Sequence, residues 1–287
     1  KNPFKKALLI LSSEVAFMQT VWDHKSDNEI VKADHHVDPG MGLGQRHFGF
    51  DDDAIGAIDF ICDHQVNPYR LVDAYLEGAR QNGVELVLNS EVSKVLREGN
   101  RVTGVATQED TYYCDTLINA AGAWADTLFN KATGLNMPVY PVKGQIVLSE
   151  RLPKVLNGCV STSDCYIAQK DNGEILIGSS TEEKGFDTTN SLDKITELSQ
   201  GALKCLPILK DSNIKRCWAG LRPGTPDELP ILGHVPGIKG YINACGHFRT
   251  GIVTSAITGK LITELVTGQE TSLDLTPFSV TRFFTQE

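Results

Sequence analysis

Apolar side chains at Phe4, Leu8, Leu11, Val15, Met18 and Trp22 recur at spacings of 4, 3, 4, 3 and 4, the period of one face of an α-helix. With Asn2 placed to cap and Pro3 at the first helical position, the stripe predicts an amphipathic helix of about five turns packed on a core. From Asp23 to Asp53 the pattern dissolves into charges, four histidines and the glycines of Pro39-Gly-Met-Gly-Leu-Gly44, and reads as loop. Order resumes at Asn67-Pro68, a cap followed by a first-turn proline. Leu71, Ala74, Tyr75 and Ala79 mark the buried face of a helix that stops at Asn82-Gly83. Val84 to Leu88 reads as a short strand. Glu91 to Leu96 and Arg101 to Thr107 alternate about Glu98-Gly99-Asn100 as a hairpin, and Thr111 to Ile118 as a third strand.

Asn119-Ala-Ala-Gly-Ala-Trp124 then joins a strand to a helix. Tiny residues at such a junction let the backbone approach a ligand closely, and the helix head offers amides to an anion; tight strand-helix packing explains the same residues equally well. Residues 137 to 210 are richer in β signals. Strands are expected at Gly144 to Leu148, Asp164 to Gln169 and Glu174 to Ser179, the last two joined by Asp171-Asn172-Gly173, and a helix at Leu192 to Leu206. Further on, Trp218 to Asp227 reads as a loop stiffened by glycine and proline around Arg222. Tyr241 to Ala244 is a strand, and Cys245-Gly-His-Phe-Arg-Thr-Gly251 leads into a helix from Ile252 to Val266 that Gly268 ends. Helix, strand, hairpin and strand in this order predict an α/β fold with an α+β insert.

Composition narrows the function. With 27 basic against 36 acidic residues the net charge is −9, which disfavours a nucleic-acid partner. No apolar run approaches the roughly 18 residues of a membrane-spanning helix. The short Ala7-Leu-Leu-Ile-Leu11 run predicts no export signal. The 7 cysteines form no C-x-x-C pair, which argues against zinc clusters and disulfide frameworks and fits a reducing cytoplasm. His24, Asp34, His35, His36, Asp38 and His47 are ligand types but match no compact metal-site spacing, so no metal is expected. Arg222 and Arg249, each held among glycines near a helix head, are candidates for meeting an anion or a developing negative charge.

Asn119-Ala-Ala-Gly-Ala-Trp124, Pro141-Val-Lys-Gly-Gln145, Ile175-Leu-Ile-Gly178, Trp218-Ala-Gly-Leu-Arg-Pro223 and Gly246-His-Phe-Arg-Thr-Gly251, in this order, resemble the D-amino-acid-oxidase-type family of FAD-dependent oxidoreductases. Within it the likeness is to the glycine oxidase and hydrogen cyanide synthase C-subunit branches, over roughly residues 55 to 287. The resemblance implies a glutathione-reductase-like FAD-binding domain interleaved with an antiparallel-sheet substrate domain. Its boundaries would be an atypical segment at 1–66, FAD-binding parts at 67–136 and 213–287, and a substrate domain at 137–212. It implies FAD as cofactor, oxidation of the C–N bond of a small amino acid, glycine foremost, by hydride transfer to flavin N5, and other subunits of a heteromeric dehydrogenase as partners, through which any membrane association would run.

By the same resemblance Arg222, Arg249 and Tyr166 meet the substrate carboxylate, and the backbone of Val92 meets the adenine. Ala121, Gly122 and Trp124 lie near the nucleotide; His247, Phe248, Arg249, Thr250, Gly251, Ile252 and Val253 line the flavin ring. The opening strand, G-x-G-x-x-G turn and helix of the family have no match here. Gly40-Met-Gly-Leu-Gly44 lacks the spacing and the preceding strand. The expectation is therefore an N-terminally truncated domain without its first strand, holding FAD weakly. The residues leave open a chain of the same fold without cofactor or activity of its own, and proline, hydroxyproline, sarcosine or an opine as substrate.

Overall fold

The computed structural model describes residues 7–11, 20–22, 63–156 and 158–284. Its residues fall into two compact units. The first takes residues 7–11, 68–142 and 221–284, and the second residues 20–22, 63–67 and 143–220.

The first unit is built on a four-stranded sheet in the order β1 (Ala7–Leu11), β7 (Thr116–Ala120), β14 (Tyr241–Cys245) and β13 (Ile231–His234). The first three strands are parallel, and β13 closes the sheet antiparallel to β14. Leu117, Tyr241 and Cys245 face one core with Phe129 of helix α2 (Ala125–Thr133). Ile118 and Ile242 face Ile262 of helix α4 (Ser255–Thr267) on the other side. Alternation therefore buries both faces of the parallel strands, which is why their sequences are apolar almost throughout. A three-stranded antiparallel sheet, β4 (Lys94–Glu98), β5 (Arg101–Ala106) and β6 (Thr111–Tyr113), forms the predicted hairpin and its extension.

Several expectations are corrected here. The N-terminal stripe does not form a helix over Ala7–Leu11 or Thr20–Trp22; both are strands. Leu8 and Ile10 pack on the core while Leu9 is exposed, a period of two, and the parallel register Leu11 to Ala120 shows that β7 supplies the hydrogen-bonding partner a strand requires. The sheet thus has a strand at the place where one was expected to be lacking. The single strand expected at 111–118 is two, because the chain leaves the antiparallel sheet at Cys114-Asp115 and enters the parallel one at Thr116. Val84–Leu88 is not a strand, and Val84, Val87 and Leu88 are exposed. Helix α1 (Pro68–Gln81) forms where its caps predict, but Pro68 is its buried residue, and Tyr75, expected inside, is half exposed. The Asn2-Pro3 cap, the loop from Asp23 to Asp53, the Gly40–Gly44 cluster and the six candidate metal ligands lie outside the described residues.

The second unit holds a five-stranded sheet in the order β12 (Ile214–Gly224), β8 (Tyr140–Arg151), β11 (Glu174–Gly178), β10 (Tyr166–Gln169) and β9 (Cys159–Ser161). β8, β11, β10 and β9 pair antiparallel in succession. The Asp171-Asn172-Gly173 turn lies where predicted, with Gly173 at φ +90°. Helix α3 (Leu192–Cys205) covers one face through Leu198 and Ala202. A short pair, β2 (Thr20–Trp22) with β3 (Asp63–Gln65), completes the unit. Trp218 to Gly224 is strand where a loop was expected: β12 runs to Gly224 and Arg222 is a strand residue.

At the head of the sheet a buried cation organises a loop. The Lys143 side chain is 2% exposed and donates to Asp187 at 2.6 Å. Its hydrogen bonds hold the Asp187 carboxyl well below the usual carboxylate range. Two residues along β8, Gln145 donates to Glu182 and Ser191 and accepts from the Ser191 amide. Segment 182–191 is thereby tied to β8 by these side chains and by a reciprocal pair of backbone hydrogen bonds between Lys143 and Glu182, each 2.9 Å.

Candidate functional site

In an open sheet of parallel strands, ligands bind where the strands end, because the following turns present backbone amides there. β7 and β14 run parallel with Asn119 opposite Asn243, so Ala120–Trp124 and Gly246–Thr254 leave the same edge. Gly122 takes a positive φ of +54° at the first of these turns, and Ala121 is buried. The Asn119 side chain laces this turn from beneath, donating to the Ala125 carbonyl at 2.9 Å and accepting from the Ala121 amide.

The second turn is fixed at three points. The Phe248 amide donates to the Pro223 carbonyl at 3.0 Å, and Phe248 holds a positive φ of +48°, unusual for a side chain of its size. The His247 carbonyl accepts from both the amide and the hydroxyl of Thr250. The His247 ring nitrogen Nε2 lies 3.0 Å from Thr258 Oγ1 on α4, and burial pushes the imidazole pKa down to about 4. His247 is therefore neutral at physiological pH and acts as a tether. α4 begins at Ser255, three residues later than expected, because 250–254 are turns. Among the described residues no hydrogen-bond partner takes the amides of Gly251, Ile252 and Val253, so three donors sit at the head of a 13-residue helix.

Arg222 and Arg249 flank the Pro223–Phe248 bond, one on each side of it in sequence. Arg222 is buried at 6% exposure, whereas Arg249 is exposed with its guanidinium 5.3 Å from the Phe248 ring. Val92, half buried against the core, accepts at its carbonyl from Lys131 Nζ of α2 at 2.6 Å. Tyr166 belongs to the second unit, as the first residue of β10 opposite Gly178 of β11. An added Cβ at Gly178 would lie 2.7 Å from the Tyr166 ring and hydroxyl, so the phenol rests on the glycine α-carbon. Lys131, Thr258 and Asn119 as a side chain were not among the sequence candidates. Each acts through a partner distant in sequence or through the backbone, and no local pattern signals that.

A model of the FAD dependent oxidoreductase family matches residues 8–265. The chain belongs to that family. It is 63% identical over 234 residues to the hydrogen cyanide synthase subunit HcnC of Pseudomonas protegens, covering 81% of this chain and 56% of that protein. It is 36% identical over 196 residues to glycine oxidase of Pseudomonas putida, covering 68% and 53%. Among solved structures, glycine oxidase from Geobacillus kaustophilus superposes with a TM-score of 0.77 at 32% identity, covering 82% of this chain and 64% of that one. The fold and family implied by the sequence motifs are thus correct. The chain spans about half the length of the curated relatives it matches.

The residues present fit FAD at its ring end. The glycine-bounded 246–251 loop leads to the amides of 251–253 and is joined through Phe248 to Pro223, the residue after the buried Arg222, a set of donors that suits a flavin ring. The pyrophosphate end differs: β1 is followed by Ser12-Ser-Glu-Val-Ala-Phe17, which contains no glycine and one acidic side chain, where the family places a glycine turn that lets phosphates approach the backbone.

Proposed function

We propose that this chain forms part of an FAD-dependent oxidoreductase that oxidises the C–N bond of a small amino acid, glycine foremost. The observation that carries the reading is the buried Arg222, held beside the tethered 246–254 loop at the edge where the parallel strands end. The planar fork of a guanidinium suits a carboxylate in a way an ammonium does not. Arg222 would orient the substrate carboxylate, with Arg249 at the more exposed rim. A flavin bound against 247–253 supplies the two-electron acceptor for the C–N bond. The amides of Gly251, Ile252 and Val253 would stabilise negative charge at the ring edge facing the helix head. The neutral His247 donates no charge and holds the loop, so the substrate amine must enter unprotonated for its nitrogen lone pair to be available.

The relatives' names support glycine over other amines. The same names support a partner subunit, since HcnC is a subunit of hydrogen cyanide synthase. No described helix is long and apolar enough to cross a membrane, so contact with a membrane would run through such partners. The test is dye reduction by the FAD-supplemented chain across glycine, sarcosine, proline and hydroxyproline. Glycine should give the highest kcat/KM. Turnover of a carboxylate-free amine as fast as glycine would overturn the assignment.

A further inference from the structure

We infer that Arg282 is a positioning residue that fixes the loop following Arg222 and, through it, the loop that carries Arg249. This deepens the proposed function by naming what sets the geometry of that same site.

Arg282 sits in the short 3-10 turn Val280–Phe283 near the end of the described chain. Its side chain is only 16% exposed. Nε donates to Asp227 Oδ2 at 2.7 Å, and Nη2 donates to Asp227 Oδ1 at 3.1 Å and to the Leu229 carbonyl at 2.8 Å. Nη1 donates to the Ser279 carbonyl at 3.1 Å, which anchors the guanidinium to its own turn. Such a fork exceeds an ordinary surface ion pair, because one guanidinium binds both carboxylate oxygens and a carbonyl. The hydrogen bonds from Arg282, above all, keep the Asp227 carboxyl below its usual range.

What this clasp holds is the loop that leaves β12. The Thr225 hydroxyl donates to the same Leu229 carbonyl at 2.9 Å, and the Leu229 amide donates to Asp227. The Glu228 amide returns to the Thr225 carbonyl, with Glu228 at a positive φ of +58°. Thr225 is 1% exposed, and its methyl lies where a Cβ on Gly246 would stand, 2.8 Å away. Gly246 itself has φ +76°. Two residues on, the Phe248 amide is bonded to the Pro223 carbonyl. The 223–229 and 246–248 segments are thus interlocked, and the first of them is clasped by Arg282. Arg222 and Arg249 each lie one residue outside the interlock.

Hydrogen–deuterium exchange of the full chain tests this without cofactor or turnover. In Arg282→Gln, and separately in Asp227→Asn, amides of 246–251 should exchange about tenfold or more faster, while those of β7 and β14 keep their protection. Arg282→Lys preserves charge but not the fork and should lie between; it also serves if Arg282→Gln fails to fold. Unchanged exchange at 246–251 in all variants that fold, or acceleration shared equally by β7 and β14, would overturn the inference. In flavin-loaded protein the same substitutions should raise the KM for glycine more than they lower kcat. If wild-type protein does not turn over glycine while exchange at 246–251 still follows Arg282, the functional proposal fails and the clasp stands.

Discussion

The neutral His247 makes acid stability a direct readout of the loop that carries Arg249. In the folded chain burial pushes the imidazole down to about 4, against an ordinary value of 6.5. Below pH 6.5 the unfolded chain binds a proton that the folded chain does not, so stability rises with pH across this window. The contribution is complete above about 6.5, is lost progressively as pH falls toward 4, and is flat below. A difference of about 2.5 pKa units corresponds to at most about 3.4 kcal/mol; His247 keeps some surface exposure, which places the value below that ceiling. Urea denaturation of wild type and His247→Gln at several pH values between about 7.5 and 4.5 measures it. The glutamine amide can reach Thr258 without titrating, and subtracting its curve removes the carboxylates that protonate in the same range. The wild-type curve should fall relative to the variant by up to about 1.4 kcal/mol per pH unit. A difference between the two that stays constant across the range would refute the burial argument, as would an imidazole titrating near 6.5 by NMR.

Arg222→Ala should lower kcat/KM for glycine by about 10²- to 10³-fold, the cost of losing a charge-assisted hydrogen bond to a carboxylate, with an unchanged circular dichroism spectrum; Arg249→Ala, at the exposed rim, should cost less. Gly178→Ala places a methyl 2.7 Å from the Tyr166 ring and should cost about 1 to 3 kcal/mol by overpacking, visible in chemical denaturation. Asp187→Asn strips the partner from the buried Lys143 ammonium and should destabilise the chain. Lys143→Met, which removes the charge and keeps the volume, should cost distinctly less, and the reverse order by urea denaturation would contradict the ion-pair argument.

The local signals in the sequence were those that a short stretch of chain decides for itself. Asn67-Pro68 and Asn82-Gly83 bracket α1, Asp171-Asn172-Gly173 turns β10 into β11, and Gly268 ends α4 in a left-handed cap. What the sequence did not disclose depended on partners far away. Ala7–Leu11 carries a helical spacing only because Phe4 and Val15 extend it; its own five residues fit a strand, and β7 decides the matter. The break at Cys114-Asp115 is likewise invisible until two different sheets claim the two halves. At the candidate site, motif resemblance named the glycine-bounded loop and Arg222. It did not reveal that Arg222 lies on a strand, that His247 leans on Thr258, or that Arg282 reaches across 55 residues to Asp227.

The strand order of the first unit also has a consequence for how the chain is made. β7 and β14 are neighbours in the sheet, yet Asn119 and Asn243 are separated by 124 residues. During synthesis β7 leaves the ribosome long before β14 exists, so its apolar edge and faces must wait for almost half of the chain. The antiparallel run β8 to β11, closed by near-sequence hairpins within 140–178, has no such delay. Because contacts distant in sequence form slowly, the second unit is the part able to acquire structure first, and the parallel sheet, with the loop that carries Arg249, is assembled last.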